Sequence, residues 1–436
     1  NGTDGNPSAG TNQTFTFTDD EAQNLQCYIA NGTGTDVHVA NFGQDSTFGG
    51  DETATTNADA NGIGEFHHAP PTGFLALCSA NLPETTISPN ALTQADDYFN
   101  THIYSGNNNA TRTFDVGFVS DWSWFKARNG SGYGHQLYDS SRGVTKRLFS
   151  NTTAAESTNA EGVIDFDDSG TLLKIGTDAF LNEDGTTMVI WNWKANGGTT
   201  TTNDASATGI GSQDSVYQAN TTSGFSIVTY TGTGSNDTFA HGVQVNGVAT
   251  APNWIIHKRR DSAQHWVHYH VGIGNTRSVL FNTDAQNSAS AVNFNNTSPT
   301  STVFSLGTDA YANASGGTYV AYCFAEVEGY SKFGNYTGNG STDGTFVHLG
   351  FRPAFIMLKC RDDTSSWNIL DNKRDPDNTV NEYILPSSSD AAGSLVQADF
   401  LSNGIKFRTT NAERNGTRVI LYMAFAEAPF KYANAR

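Results

Sequence analysis

The chain has 436 residues, a formal net charge of −19, 15% charged residues and 11% aromatic residues. That aromatic content excludes a disordered chain, which lacks the large side chains needed to bury a core. Scarce Lys and Arg exclude a nucleic-acid binder and disfavour an anionic membrane surface, since phosphate contacts need clustered basic groups.

Helical periodicity is nearly absent along the chain, and no apolar run approaches the ~18 residues of a membrane-spanning helix. Short β-rich runs cut by Gly, Asn, Asp and Ser recur instead, beginning with Thr14-Phe15-Thr16-Phe17. The sequence opens at Asn1 without Met, so it is expected to be processed or to be a portion of something longer. No spacing requires Cys27 and Cys78 to pair, while Cys323 and Cys360 read as small buried hydrophobes.

From about residue 91 the chain repeats one degenerate pattern three times. Tyr104-Ser105-Gly106, Tyr230-Thr231-Gly232 and Tyr336-Thr337-Gly338 are turns that each follow a β-rich run. Next come the lysine strands, Trp122 to Arg128, Trp254 to Arg260 and Phe355 to Arg361, each with a Lys-x-Arg ending. The pattern closes on Thr187 to Trp193, Thr318 to Phe324 and Thr417 to Phe425. Two copies also share Gly176-Thr177-Asp178-Ala179-Phe180 and Gly307-Thr308-Asp309-Ala310-Tyr311. The lysines stand 132 and 101 residues apart, far above the period of a solenoid. A whole domain is therefore duplicated. The predicted division is a unit over 1–90 and β-sandwich repeats over 91–212, 213–326 and 327–436, with the stretch Asn196 to Gly211 as a linker. Short strands with Gly- and Asn-rich turns predict an all-β chain of tandem antiparallel sandwiches or jelly rolls. Repetition of this kind reads as an extended, many-domained surface.

Several groups are candidates for chemistry. Lys and Arg two apart share a strand face, so the Lys-x-Arg pair is either a solvated strip or a grip on an acidic partner such as a neighbouring copy or a sugar acid. His268 and His270 share one face and His265 the other, which leaves too few ligands for zinc. His67-His68 is equally unsupported. Acidic loops at Asp165 to Asp168 and at Asp362-Asp363 leave Ca²⁺ open, but no motif supports it. No catalytic signature, cofactor motif or metal set is present, so no enzyme is expected. Asn-x-Ser/Thr triplets, for example at Asn129, Asn151, Asn220 and Asn335, are what an Asn- and Thr-rich chain produces by chance.

The string from Val39 to Gln44, with Phe66-His67-His68-Ala69-Pro70-Pro71-Thr72-Gly73-Phe74 and Leu77-Cys78 to Pro83, resembles the closing part of SPRY-like, concanavalin A-like domains in tailed-phage structural proteins. The Tyr-Thr-Gly turns, the lysine strands and Leu148-Phe149-Ser150-Asn151-Thr152 are similar to a companion module of marine and cyanobacterial phage tail-fibre proteins. Only the later strands of the SPRY-like unit are represented. The resemblance implies a virion structural protein, carried on a tail fibre or similar appendage, with other virion proteins or copies of itself as partners, as a homotrimer for instance. It also implies glycan binding through sandwich loops, where aromatic rings stack on sugars. Trp122, Trp124, Trp254, Trp266 and Trp367 are then the candidate ligand-binding residues, although core packing is the commoner fate of a sandwich Trp. The alternatives are a capsid decoration, head-fibre or filament subunit, and a cell-surface adhesin or virion-associated glycan hydrolase.

Overall fold

The lysine strands carry apolar residues without alternation, and a strand buried on both faces reads that way. In a computed structural model of the protein, which describes residues 42–81, 87, 93–166 and 170–428, all three lie in the middle of their sheets. Trp122–Ala127, Trp254–Arg259 and Arg352–Cys360 each pair with a hairpin strand on one side, Gln136–Asp139, Val267–His270 and Asn368–Asp371. On the other side each meets its closing strand, Thr187–Trp193, Thr318–Phe324 or Val419–Ala428. An opening strand (Phe99–Ser105, Phe225–Thr231, Ser331–Thr337) completes the order beyond it. The fold is all-β.

Register gives the alignment that spacing left ambiguous. Trp122 faces Trp193, Trp254 faces Phe324 and Phe355 faces Phe425 across the closing strand. Trp122, Trp254 and Phe355 are therefore equivalent, each four residues before its lysine. Trp124 is an extra ring of the first copy.

Each large sheet has a smaller one against its outer face. Arg112–Asp115, Leu172–Ile175 and Val163–Asp165 form it in the first copy, and Asp237–Ala240 with Val303–Leu306 in the second. The third uses Phe346–His348, Gly404–Phe407, Gly393–Leu401 and Val380–Tyr383. Separate cores fill the sandwiches of the first two copies. The inner faces of all three large sheets share one core. There Trp122 stacks on Tyr322 at 4.4 Å between ring centres, Phe99 on Phe425 at 5.3 Å, and Phe324 meets Phe425 edge-on at 5.7 Å. The copies are thus not strung out: they form one unit, Thr85–Arg436, separate from Asn1–Glu84.

The predicted linker is built into that unit. Thr201–Asn203 and Ser215–Ala219 extend the second copy's sheet ahead of its opening strand. The backbone N–H groups of Ala195, Gly197 and Gly198 all donate to the buried carboxylate of Asp121 (2.7–3.0 Å).

The repeated residues outside the core have local causes. A Cβ on Gly106, Gly232 or Gly338 would overlap the carbonyl oxygen of Glu183, Ala314 or Gly416. The preceding Tyr104, Tyr230 and Tyr336 donate their hydroxyls to Leu181, Ala312 and Arg414 carbonyls. Asp178, Asp309 and Asn411 cap one-turn helices. Each of these ends in a buried Asn whose amide closes the turn; Asn313, for one, donates to Ser235 and Gly307 carbonyls and accepts from the Thr233 N–H.

In the N-terminal unit the described segment folds around Asp59. Burial opposes its charge, but hydrogen bonds from the Ala76, Ile63 and Asn61 backbone and the Asn81 amide outweigh it and bring the pKa down to about 2. Cys27, Thr14 to Phe17 and Ser88 to Asn90, at the predicted boundary after residue 90, lie outside the described residues.

Candidate functional site

The most organised polar chemistry lies where the copies meet. Gly132, Gln264 and Ser365 donate backbone N–H groups to the carbonyls of Ser389, Thr153 and Asp284 (3.2, 2.9 and 2.8 Å). In return Ala392, Glu156 and Asn287 donate to the carbonyls of Arg128, Arg260 and Arg361 (2.8, 2.8 and 3.0 Å). Lys126, Lys258 and Lys359 send their ammonium groups to that first set of carbonyls (3.4, 2.9 and 3.0 Å). A ring nitrogen of His135, Trp266 or Trp367 meets the carbonyl of Leu385, Phe149 or Leu280 (3.1, 2.9 and 2.9 Å). The first copy therefore holds the third, the second holds the first, and the third holds the second. Such a head-to-tail contact closes after three steps into a ring.

The Lys-x-Arg pair is accordingly an internal grip. The lysines are fully buried, and loss of water pushes Lys258 down to about 7 and Lys126 and Lys359 to about 8. Arg128 pairs with Glu382 (3.1 Å) and Arg260 with Glu156 (2.9 Å), again across copies.

One junction differs. Trp191 Nε1 donates to Asp371 (3.1 Å) and the Tyr322 hydroxyl to Asp139 (2.7 Å). Arg374 and Arg142 neutralise those two buried carboxylates. In the third junction the donor position is Met423, which has nothing to give. His270 stands in place of the Asp and turns the bond round, its Nε2 donating to the Tyr422 carbonyl (3.2 Å) while Nδ1 accepts from the Gly272 N–H. With no carboxylate to neutralise, Ile273 replaces the Arg.

The five tryptophans named as candidate sugar platforms are 0–1% exposed. Trp122, Trp124 and Trp254 line the shared core, and Trp266 and Trp367 are the interlocking donors of two junctions. None presents a ring face to solvent. His268 accepts from Trp254 Nε1 (3.2 Å) inside the core and His265 meets Asn282, so the histidine run converges on no ion. His67 bonds the Ser46 carbonyl (2.9 Å). Asp362 and Asp363 are engaged by Arg361 and Arg418 (3.1 Å each), whereas Asp167 and Asp168 lie outside the described residues. Among the described residues no three His, Cys, Asp or Glu side chains gather as a metal set.

Clefts open between and beside the copies. One of about 510 Å³ lies along the edge of the second copy, lined by Gln213, Asp214, Thr229 and Arg260. A second, of about 580 Å³, is bounded by Arg352, Asn378, Asn403 and Glu427, and a third, of about 230 Å³, sits where the first copy meets the third. Spacing did not find the residues of the last one. The signal that could have was departure from the repeat, a small or polar residue where the other copies have a larger one.

Comparison with curated proteins and with solved structures gives no match. A family described as a domain of unknown function, DUF7483, matches residues 94–429. That span runs from just before the first opening strand to the end of the last closing strand, so the unit the family describes is the set of three copies. The chain belongs to the DUF7483 family.

Proposed function

We propose that this chain is a non-enzymatic structural component of a virion, carried on a tail fibre or similar appendage, and that its three-copy ring recognises a glycan on the host surface. The observation that supports this most is how the repeated polar groups are used. The lysines, their neighbouring arginines and the turn asparagines recur in every copy, and each is occupied in holding strands or copies together. A polar framework of that kind makes a rigid mount, and leaves recognition to the positions where the copies differ. Placement on a virus particle rests on the resemblance of the segment around Phe66 to Pro83 and of the repeats to phage structural proteins. A charge of −19 suits a displayed surface, because high net charge keeps particles dispersed.

The test is to label this chain on intact particles and image them. Label at an appendage tip or shaft supports the proposal. Label confined to the capsid lattice would instead make the chain an architectural decoration, and label absent from particles would sink the viral placement.

A further inference from the structure

The three junctions are built on one plan, and one of them departs from it by being hollow. Register makes Thr101, Ile227 and Phe333 equivalent on the opening strands. It also makes Asp121, Asn253 and Ala354 equivalent, just ahead of Trp122, Trp254 and Phe355. Where the second copy meets the first, Ile227 packs in the core, and the Asp121 carboxylate accepts from Ser140, which is also bonded to Gln218. Where the third meets the second, Phe333 packs in the core and Asn253 accepts from the Glu326 N–H. Where the first meets the third, Thr101 stands in place of the large apolar side chain and Ala354 in place of the polar one. The space they leave is a cavity of about 230 Å³.

The walls of this cavity point to a ligand. Thr101 and Asn372 are 4% and 3% exposed, and both line it. Neither Thr101 Oγ1 nor Asn372 Oδ1 has a hydrogen-bond partner among the described residues, and burying such atoms unpaired is unfavourable. Phe99, Ala354 and Ala426 add an apolar surface. Charge is balanced at the rim, where Asp96 and Lys373 both line the cavity and Glu427 is paired to Arg352. A balanced rim favours neither anion nor cation, while mixed donors and acceptors over an apolar floor suit a ring bearing hydroxyls. Glu427 also borders the 580 Å³ cleft, so a chain of more than one sugar has a path outward.

We propose that the cavity between the first and third copies is a binding site for a neutral saccharide, with one pyranose ring held by Thr101 and Asn372. This deepens, and rests on, the reading of the ring as a glycan-recognising module. The probes are free glucose, galactose, mannose and N-acetylglucosamine and their disaccharides, followed by saturation-transfer NMR and calorimetry on the whole chain. Two variants copy the other junctions, Thr101→Ile and Ala354→Asn, and a third, Thr101→Val, removes the hydroxyl at nearly constant shape.

The filling variants are expected to abolish sugar binding at an unchanged melting temperature, and Thr101→Val to weaken it about tenfold. If a filling variant fails to fold, Thr101→Val alone decides. Binding that is equal in wild type and variants overturns this site while leaving recognition elsewhere on the ring standing. A wild-type chain that binds none of the sugars at millimolar concentration overturns the site too, and imaging of labelled particles then judges the virion role separately.

Discussion

A methyl group added at Gly338 would overlap the Gly416 carbonyl oxygen, which is backbone and has nowhere to move. Gly338→Ala is therefore expected to lower stability by at least about 2 kcal/mol, read from chemical denaturation. Gly340→Ala, two residues on, places its Cβ no closer than 3.6 Å to a side-chain methyl, and its cost comes only from its φ of +68°. Equal losses at the two positions would mean that close approach is not what selects the first. The repeated Gly, Tyr and Lys positions were all visible in the sequence. The purpose of the lysines was not, because a charged group on a strand reads as solvated unless its carbonyl partners are known, and the partners in another copy lie 75 to 263 residues away.

At the scale of the strand, the exchange of Asp, Arg and a hydrogen-bond donor for His270, Ile273 and Met423 is a coupled substitution. His270→Asp alone would bury a carboxylate facing the Tyr422 carbonyl with no Arg beside it. A loss on the order of 3–5 kcal/mol is expected. Adding Ile273→Arg and Met423→Tyr, which rebuilds the arrangement of the second junction, is expected to recover at least half of that loss. Additive losses in this cycle would show that the three positions do not act together.

How far the strands were legible follows from the same chemistry. Their existence was plain from Thr, Val, Ile, Tyr and Phe between Gly- and Asn-rich turns. Their second neighbour was also written in the sequence, since Ile255-Ile256 and Phe355-Ile356-Met357-Leu358 leave no polar face for water. That signal was consistent with an ordinary buried strand, so it could not say that the covering layer was another copy. The tryptophans were misplaced for the same reason: a Trp on a sheet face looks alike whether that face meets sugar or a neighbouring sheet.

Across the molecule, burial of titratable groups sets the response to pH. Loss of water pushes His257 down to about 3 and His241 and His270 to about 4. An unfolded histidine takes up its proton near pH 6.5. The rings therefore contribute full stability above pH 6.5, and that stability is lost as pH falls toward 4, on the order of 3 kcal/mol per ring. The lysines are also depressed, so between pH 8 and about 10.5 the unfolded chain holds more protons and stability rises with pH. Buried Tyr230, Tyr322, Tyr330 and Tyr336 are pushed up, which removes stability again once unfolded tyrosine ionises near pH 10. Melting temperature is thus expected to fall steeply below pH 6.5 and to peak at roughly pH 9–10. A profile that is flat from pH 7 to 4.5 would contradict the burial of these histidines.

A ring made of three identical chains must repeat every feature of its junctions three times. In this one a single polypeptide supplies all three, so Thr101 and Ala354 open a hollow in one junction while Ile227 and Phe333 keep the others filled. On the proposed reading of that hollow as a saccharide site, the valency of the chain is one. Calorimetry should then titrate to a single saccharide per chain, and any gain from multivalent attachment has to come from the number of chains displayed together.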